Sequence, residues 1–328
     1  MKNLKKVGLS ALAGSLVAFS ANAVEMSVSG TAEVTYTTNA GTDTNSGNPW
    51  GSNNSVKFSG SGDVGFGTAT IVRTINDSNA GNWLSAWQTL DMGAMGKLSF
   101  DAVGGGLEGT TAHDDILPTA YEEVWNQVSG TGVLGAASND TIGYSNTIMG
   151  ATVSLARTGG GTAGSSDGVN EGAGQTTDSI TDWHIKLPVP YVEGLTVAYG
   201  ASKTEFAIQT ENDDTSTVGH ILYNMGPMSL GYRVAEQQDG SNGSNGLNVE
   251  AYAIAFNVND EMAVSLATQD TEYDVPSGTN VTETVDAMNA SYTVGAASVR
   301  ATFSESTNDG GQTGDTDEHM ELSLVLSF

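Results

Sequence analysis

Acidic side chains are the most abundant charged groups in this sequence. Five of them fall between residues 104 and 139, a stretch far longer than an ordinary connection between strands. Carboxylates attract cations, and a loop of this length needs either a function or structure of its own. An exposed acidic loop and a loop with a functional role are the two alternatives. The five acids are Glu108, Asp114, Asp115, Glu122 and Glu123.

Basic side chains are sparse, and four of them sit beside apolar residues in period-two patterns. Lys57, for example, lies between Val56 and Phe58. Because successive side chains of a strand point to opposite faces, each of these cations is predicted to lie opposite the apolar face of its own strand. The four residues are Lys57, Arg73, Arg233 and Arg300.

Catalytic and metal-binding chemistry has little support in the sequence. The histidines are far apart along the chain: His113, His184, His220 and His319. There is no cysteine, and the zinc-protease, nucleophile-elbow and P-loop motifs are absent. GGGLEG at 104–109 has the spacing of a dinucleotide-binding loop, but no helical periodicity follows it. Asp213 and Asp214 lack the spacing of a dedicated calcium site. We therefore predict no enzymatic activity, no cofactor and no metal site.

The charge of the chain is strongly negative. The sequence has 38 acidic and 11 basic residues, a formal net charge of −27. Three of the basic residues and none of the acidic ones lie in residues 1–23, so the remainder carries 38 acidic against 8 basic residues, or −30. A protein that binds nucleic acid through its phosphates needs the opposite balance. We therefore predict no nucleic-acid partner.

The first 23 residues have the composition of a secretory signal peptide. Lys2, Lys5 and Lys6 precede an apolar stretch at 7–19, and Ala21-Asn22-Ala23 is a small-residue cleavage pattern. The alternative, a transmembrane anchor, is disfavoured by the short core and its Gly and Ser residues. We expect a signal peptide at 1–23, one domain at 24–328 and export from the cytoplasm.

Period-two segments recur along the rest of the chain. The last one places Met320, Leu322, Leu324, Leu326 and Phe328 on one face and mostly polar residues on the other. About 16 such segments are present, each near the ~9–11 residues of a tilted membrane-spanning strand. They lie at roughly 26–36, 56–63, 66–76, 83–91, 97–103, 140–147, 151–158, 180–187, 195–203, 216–225, 228–236, 247–258, 262–270, 284–294, 297–305 and 317–328.

The connections between these segments alternate between short and long. Gly226-Pro227 and Gly295-Ala296 are typical of the short ones, whereas 104–139 and 159–179 are long and polar. Tight turns at one end and long loops at the other are typical of an outer-membrane barrel. The predicted fold is an all-β transmembrane antiparallel β-barrel of about 16 strands, with short periplasmic turns and long extracellular loops. A secreted or surface adhesin-like β-sandwich is the alternative, since it also has short alternating strands.

Several segments resemble the trimeric general porins of Gram-negative bacteria. GDVGFGTATIVRTI is similar to their short turn and third strand, and MGAMGKLSFDAVGGG to their turn, fifth strand and the start of their third loop. SNDTIGYSNTIMGATVSLA is similar to their sixth strand, turn and seventh strand. The order and spacing of these motifs and the terminal Phe328 carry the resemblance, which covers the whole chain after residue 23.

The resemblance implies a constriction inside the barrel. In porins the loop after the fifth strand folds into the lumen, so the stretch 104–139 would narrow the channel here and its acids would line the constriction. The four cations would form a basic wall opposite that loop, since an arginine facing lipid near the membrane midplane costs about 2–4 kcal/mol.

The resemblance also implies a location, partners and a function. Phe328 would be the signal read by the barrel-assembly machinery, and the protein would be a homotrimer in the lipid of the outer membrane. Small hydrophilic solutes and ions would diffuse passively through the channel, and the negative charge predicts a preference for cations. A substrate-specific barrel channel is a further alternative.

Overall fold

Seventeen antiparallel strands account for the period-two segments, as seen in a computed structural model of the chain that describes residues 25–41, 47–77, 83–103, 113, 116–124, 140–159, 179–205, 213–238, 246–274 and 278–328. The predicted signal peptide lies outside these residues and stays a prediction. The strands are β1 (Glu25–Gly41), β2 (Trp50–Ser52), β3 (Ser55–Asp63), β4 (Thr68–Asn76), β5 (Ser85–Asp91), β6 (Lys97–Val103), β7 (Thr141–Ile148), β8 (Ala151–Thr158), β9 (Ser179–Pro188), β10 (Leu195–Glu205), β11 (Asp214–Met225), β12 (Met228–Gln238), β13 (Leu247–Asn257), β14 (Met262–Tyr273), β15 (Val281–Val294), β16 (Ala297–Thr307) and β17 (Thr316–Ser327).

The sheet closes on itself. From β3 to β17 each strand pairs antiparallel with the next, and β17 pairs with β1 from Thr31↔Ser327 to Gly41↔Asp317. The short β2 pairs with 34–36 of β1, and β3 pairs with 25–31, so β2 and β3 together occupy one position. The result is a barrel with sixteen strand positions and no free edge. The predicted all-β barrel is confirmed.

The two faces of the barrel differ as the period-two pattern predicts. On β17, Leu322, Leu324 and Leu326 are about half exposed on the outside, while Ser323 is fully buried on the inside. The same alternation continues around the ring through the strand register, so large apolar side chains form a band on the outer face and mostly polar ones cover the inner face. A polar interior beneath an apolar exterior is the reverse of a water-soluble globular domain.

The strand ends differ in their connections. At one end, two-residue turns such as Gly226-Pro227 and Gly295-Ala296 join neighbouring strands, with Gly226 and Gly295 at positive φ. At the other end the strands lead into the long polar connections, most of whose residues lie outside the described ranges. No helix in the described ranges is both long enough and apolar enough to cross a membrane.

Candidate channel constriction

Part of the long connection after β6 lies inside the barrel. We call residues 116–124 the lumen segment. The backbone N–H of Ala120 donates to Ser265 Oγ of β14 at 2.9 Å. The Asn289 side chain of β15 accepts from the N–H of Glu122 at 3.2 Å and donates to its carbonyl at 3.1 Å. The Asn289 amide thus makes the two hydrogen bonds that a neighbouring strand would otherwise make with Glu122, because buried peptide groups need hydrogen-bond partners.

The tip of the lumen segment is anchored at the seam between β1 and β17. The Tyr121 hydroxyl donates a short hydrogen bond to the Glu321 carboxylate, whose other oxygen accepts from Thr37 Oγ1 at 3.1 Å. The Arg300 guanidinium lies over the Tyr121 ring, 5.5 Å from its centroid. Burial and the hydrogen bond to Glu321 both raise the pKa of Tyr121, so the phenol stays neutral and remains the donor.

Apolar contacts hold the two ends of the lumen segment against the same wall. Val124 packs with Val285 and Ala287 of β15 in a buried cluster. Leu117 and Pro118 lie directly over Gly231 of β12, where a Cβ would come within 2.8 Å of Leu117 Cδ2. Gly231 therefore permits a close approach that no other residue allows. The wall formed by β12 to β17 is thus the side on which the segment lies.

A cluster of histidines makes a second contact between the same connection and the barrel, at β9 and β11. His113 Nδ1 lies 2.9 Å from His220 Nδ1 of β11, and its ring is 4.9 Å, centroid to centroid, from that of His184 on β9. The sequence separates these residues, and only the register of the barrel brings them together. The period-two pattern of β9 and β11 predicts that His184 and His220 point inward, and this pattern could have indicated the cluster.

The predicted acids have different outcomes. Glu122 and Glu123 lie in the lumen segment and are partly buried. Glu108, Asp114 and Asp115 lie outside the described residues, so their position stays a prediction. Glu321, which accepts the hydrogen bond of Tyr121, is a carboxylate of the candidate site that the sequence analysis missed. Its place on the inner face of β17 could have indicated it.

Three of the four predicted basic residues lie on the inner face. The register aligns Lys57 with Ser29 and Thr74, and Arg300 with Ser291 and Ser323. Arg233 is only 1% exposed and donates to Gln269 Oε1 at 2.7 Å, so it lies beneath the surface of the wall. Lys186, which the sequence analysis missed, is also on the inner face and is exposed.

The prediction that Arg73 faces the lumen is wrong. Arg73 pairs with Phe58, and both share the outer face with Ile71, whereas Val72 between them points inward and is buried. Its guanidinium donates to the carbonyls of Val72 at 2.7 Å and Trp87 at 3.1 Å. These two bonds partly satisfy the cation on an otherwise apolar surface.

Groupings suited to a metal ion are absent from the part of the chain that the structure describes: no three His, Asp or Glu side chains there have such an arrangement. Hydrogen bonds, apolar contacts and a cation–ring contact join the lumen segment to the wall. The arrangement provides a polar, charged passage beside the lumen segment.

Comparison with known proteins shows the fold. The sequence matches no protein-family profile and no curated protein. Among solved structures, it is similar to an anion-selective porin from Comamonas acidovorans, with a TM-score of 0.66 and 14% identity over 93% of this chain and 100% of that one. The trimer form of in-vitro folded OmpT from Vibrio cholerae has a TM-score of 0.64 and 12% identity over 93% and 100% of the two chains. Salmonella typhi OmpF in complex with daunomycin has a TM-score of 0.65 and 10% identity over 92% and 97%. The chain therefore has a porin-like barrel.

Proposed function

We propose that this protein is an outer-membrane porin, a water-filled channel through which small hydrophilic solutes and ions diffuse passively. The observation that carries the proposal is the lumen segment, held by polar side chains against the inner wall of a closed barrel. Barrels of about 16 strands are wide enough to leave an aqueous channel, and a loop fixed inside narrows it. The proposed activity is transport without catalysis.

The outer face supports placement in a lipid bilayer. Exposed side chains such as Leu266, Met288, Phe303 and Met320 form a continuous apolar band on neighbouring strands. A soluble adhesin-like sandwich would bury such residues between two sheets, whereas here they face outward from a single closed sheet. An exported chain with this exterior belongs in the outer membrane of a Gram-negative bacterium, inserted by the barrel-assembly machinery through its last strand.

The charge distribution supports a preference for cations. The charge of −30 that remains after residues 1–23 gives the channel entrances a negative potential, and Glu122 and Glu123 add carboxylates inside the lumen. Lys57 and Lys186 are exposed on the inner face and oppose them, so the preference is moderate. A substrate-specific channel remains the second candidate, favoured by the number of polar side chains that line the inner wall.

The outer face also suggests a homotrimer. Arg73 and Gln88 lie on the outside of β4 and β5, among Phe58, Ile71 and Phe100. Because a lipid-facing arginine near the membrane midplane costs about 2–4 kcal/mol, this face is better covered by a second copy of the chain. The OmpT structure described as a trimer form has the same fold, which is consistent with this proposal.

Planar-bilayer recording of the purified protein tests the function. The proposal predicts discrete, long-lived current steps in KCl after insertion of single molecules or trimers. It also predicts that the protein requires detergent to stay dispersed. A protein that is monodisperse without detergent and never produces a current step would overturn the proposal and favour the adhesin.

A further inference from the structure

Two oppositely charged side chains lie on the inner face near the tip of the lumen segment without pairing to each other. Arg300 belongs to β16 and Glu33 to β1, and both side chains are partly exposed. Within the part of the chain that the structure describes, the only ion pairs are those of Lys203 with Glu205 and Asp213. This wall therefore carries a cation and a carboxylate that no described residue neutralises.

The Arg300 guanidinium is fixed by its neighbours. Its central carbon lies 5.5 Å from the centroid of the Tyr121 ring, and Nε donates to Ser298 Oγ at 3.4 Å. Tyr121 is itself fixed by its hydrogen bond to Glu321. Among the described residues, none accepts a hydrogen bond from the two terminal nitrogens of Arg300. These N–H groups are therefore available to a molecule in the lumen.

The Glu33 carboxylate is fixed in a similar way. Its Oε1 accepts a hydrogen bond from the hydroxyl of Ser323, which is fully buried in the wall. The backbone of Glu33 donates to Asn54 Oδ1 at 3.1 Å and accepts from the Asn53 N–H at 3.2 Å. The other carboxylate oxygen, Oε2, accepts from no residue in the described ranges. Glu33 therefore presents one free oxygen from a fixed position.

One strand, β17, separates the two charged groups. Arg300 and Thr35 pair with Ser323 from its two sides, and Glu33 is the next inner-face residue of β1. Two strand spacings place β16 and β1 about 10 Å apart. Because Tyr121 fixes the guanidinium and Ser323 fixes the carboxylate, the two groups stay apart, yet both lie within reach of one small molecule.

The chemistry of the two groups defines the ligand. A guanidinium binds a carboxylate with two parallel hydrogen bonds, and a free carboxylate oxygen accepts from an ammonium group. An inorganic anion would be repelled by Glu33, and an inorganic cation by Arg300. At neutral pH an α-amino acid carries both a carboxylate and an ammonium group, so it satisfies both side chains at once.

We propose that Arg300 and Glu33 form a binding subsite for zwitterionic α-amino acids beside the lumen segment. Arg300 binds the carboxylate of the solute, and Glu33 binds its ammonium group. The subsite gives a substrate class to the channel, so its role during passage rests on the proposed function. The binding itself does not depend on passage.

Saturation-transfer nuclear magnetic resonance of the protein in detergent micelles tests the binding. Three probes are compared: glycine, N-acetylglycine, which lacks the cation, and glycinamide, which lacks the anion. Glycine should bind most tightly, and Arg300→Gln or Glu33→Gln should each weaken its binding by at least about tenfold, since each removes one charged partner. Glutamine at position 33 keeps an acceptor for Ser323. Lys186→Gln is the matched control: it removes an exposed inner-face cation on β9 and should bind glycine like the wild type.

A more conservative variant and a conduction measurement complete the test. Arg300→Lys keeps the cation but loses the paired donors, so it should weaken glycine binding less than Arg300→Gln, and it replaces that variant if folding fails. In single-channel recording, glycine should add current fluctuations that saturate with concentration in the wild type and are lost in Glu33→Gln. Equal binding of the three probes, or glycine binding that the substitutions at positions 33 and 300 leave unchanged, would overturn the subsite. Glycine binding in micelles without any current steps would instead count against the channel and leave the subsite standing.

Discussion

At the scale of single residues, Tyr121 links the lumen segment to the seam of the barrel. Tyr121→Phe removes its hydrogen bond to Glu321 and leaves that carboxylate with one donor fewer. Hydrogen bonds to charged groups contribute about 1.5–3 kcal/mol, so we expect the segment to loosen by that order while the barrel stays folded. The measurement is open-channel current noise, which should rise. Tyr292→Phe, which removes a phenol on the outer face that bonds Glu261, should leave the noise unchanged.

The alternation of faces makes a prediction about adjacent residues at one depth. Ile185 lies on the outer face of β9, and Lys186 on the inner face. Ile185→Arg should lower the unfolding free energy in lipid vesicles by about 2–4 kcal/mol, since it places a cation in the lipid. Lys186→Arg keeps a cation in the lumen and should change the unfolding free energy little. Equal losses for both variants would show that the assignment of the two faces is wrong.

The basic residues show which side-chain orientations could be predicted from the sequence. The apolar neighbours of Lys57, Arg233 and Arg300 predict that these three side chains point into the barrel. The strand register places them on the inner face. Arg73 differs because its apolar neighbour Val72 is an inward residue, while Ile71 and Ile75 define the outer face. The prediction took the phase of Arg73 from Val72, and the cost of an arginine that faces lipid supported the same wrong placement.

At the scale of elements, the pairing of β1 with β17 closes the barrel and ends at Phe328. Its N–H and carbonyl exchange hydrogen bonds of 3.0 Å and 2.9 Å with Gly30, and its ring lies over that glycine. If the ring is the signal for assembly, both Phe328→Ala and deletion of Phe328 should lower the amount of protein in the outer membrane of cells. If only the backbone pairing matters, the deletion alone should do so. Normal surface levels for both variants would show that Phe328 has no role in assembly.

Strand positions were predictable because apolar residues recur with period two through much of each strand, although the outer face turns polar near the long loops, as at Glu250 and Asp270. All sixteen segments correspond to strands, and several strands extend a few residues farther at the end with the long loops. The three-residue β2 was missed because it is too short to show a period. The contacts of the lumen segment join residues far apart in sequence, such as Tyr121 and Glu321, so only the closed register reveals them.

At the scale of the whole molecule, the outer face of β3 to β5 makes a prediction about assembly. The protein should migrate as a trimer on gels run without heating and as a monomer after heating. Arg73→Glu should weaken the trimer, since it reverses a charge on the proposed contact face. Arg157→Glu is the matched control, since Arg157 is an outer-face arginine near the strand end that bonds Thr181 instead. A wild type that is always monomeric would contradict the proposed assembly.

The central claim is that ions pass through an acidic lumen beside the lumen segment. The measurement that tests it most directly is the zero-current potential across a KCl gradient. We expect a moderate cation preference that strengthens at low salt, because the Debye length grows from about 3 Å at 1 M to about 10 Å at 0.1 M. Replacing Asp114, Asp115, Glu122 and Glu123 with their amides should move the potential toward zero. An anion-selective wild type, or a cation-selective one that the four substitutions leave unchanged, would contradict the account.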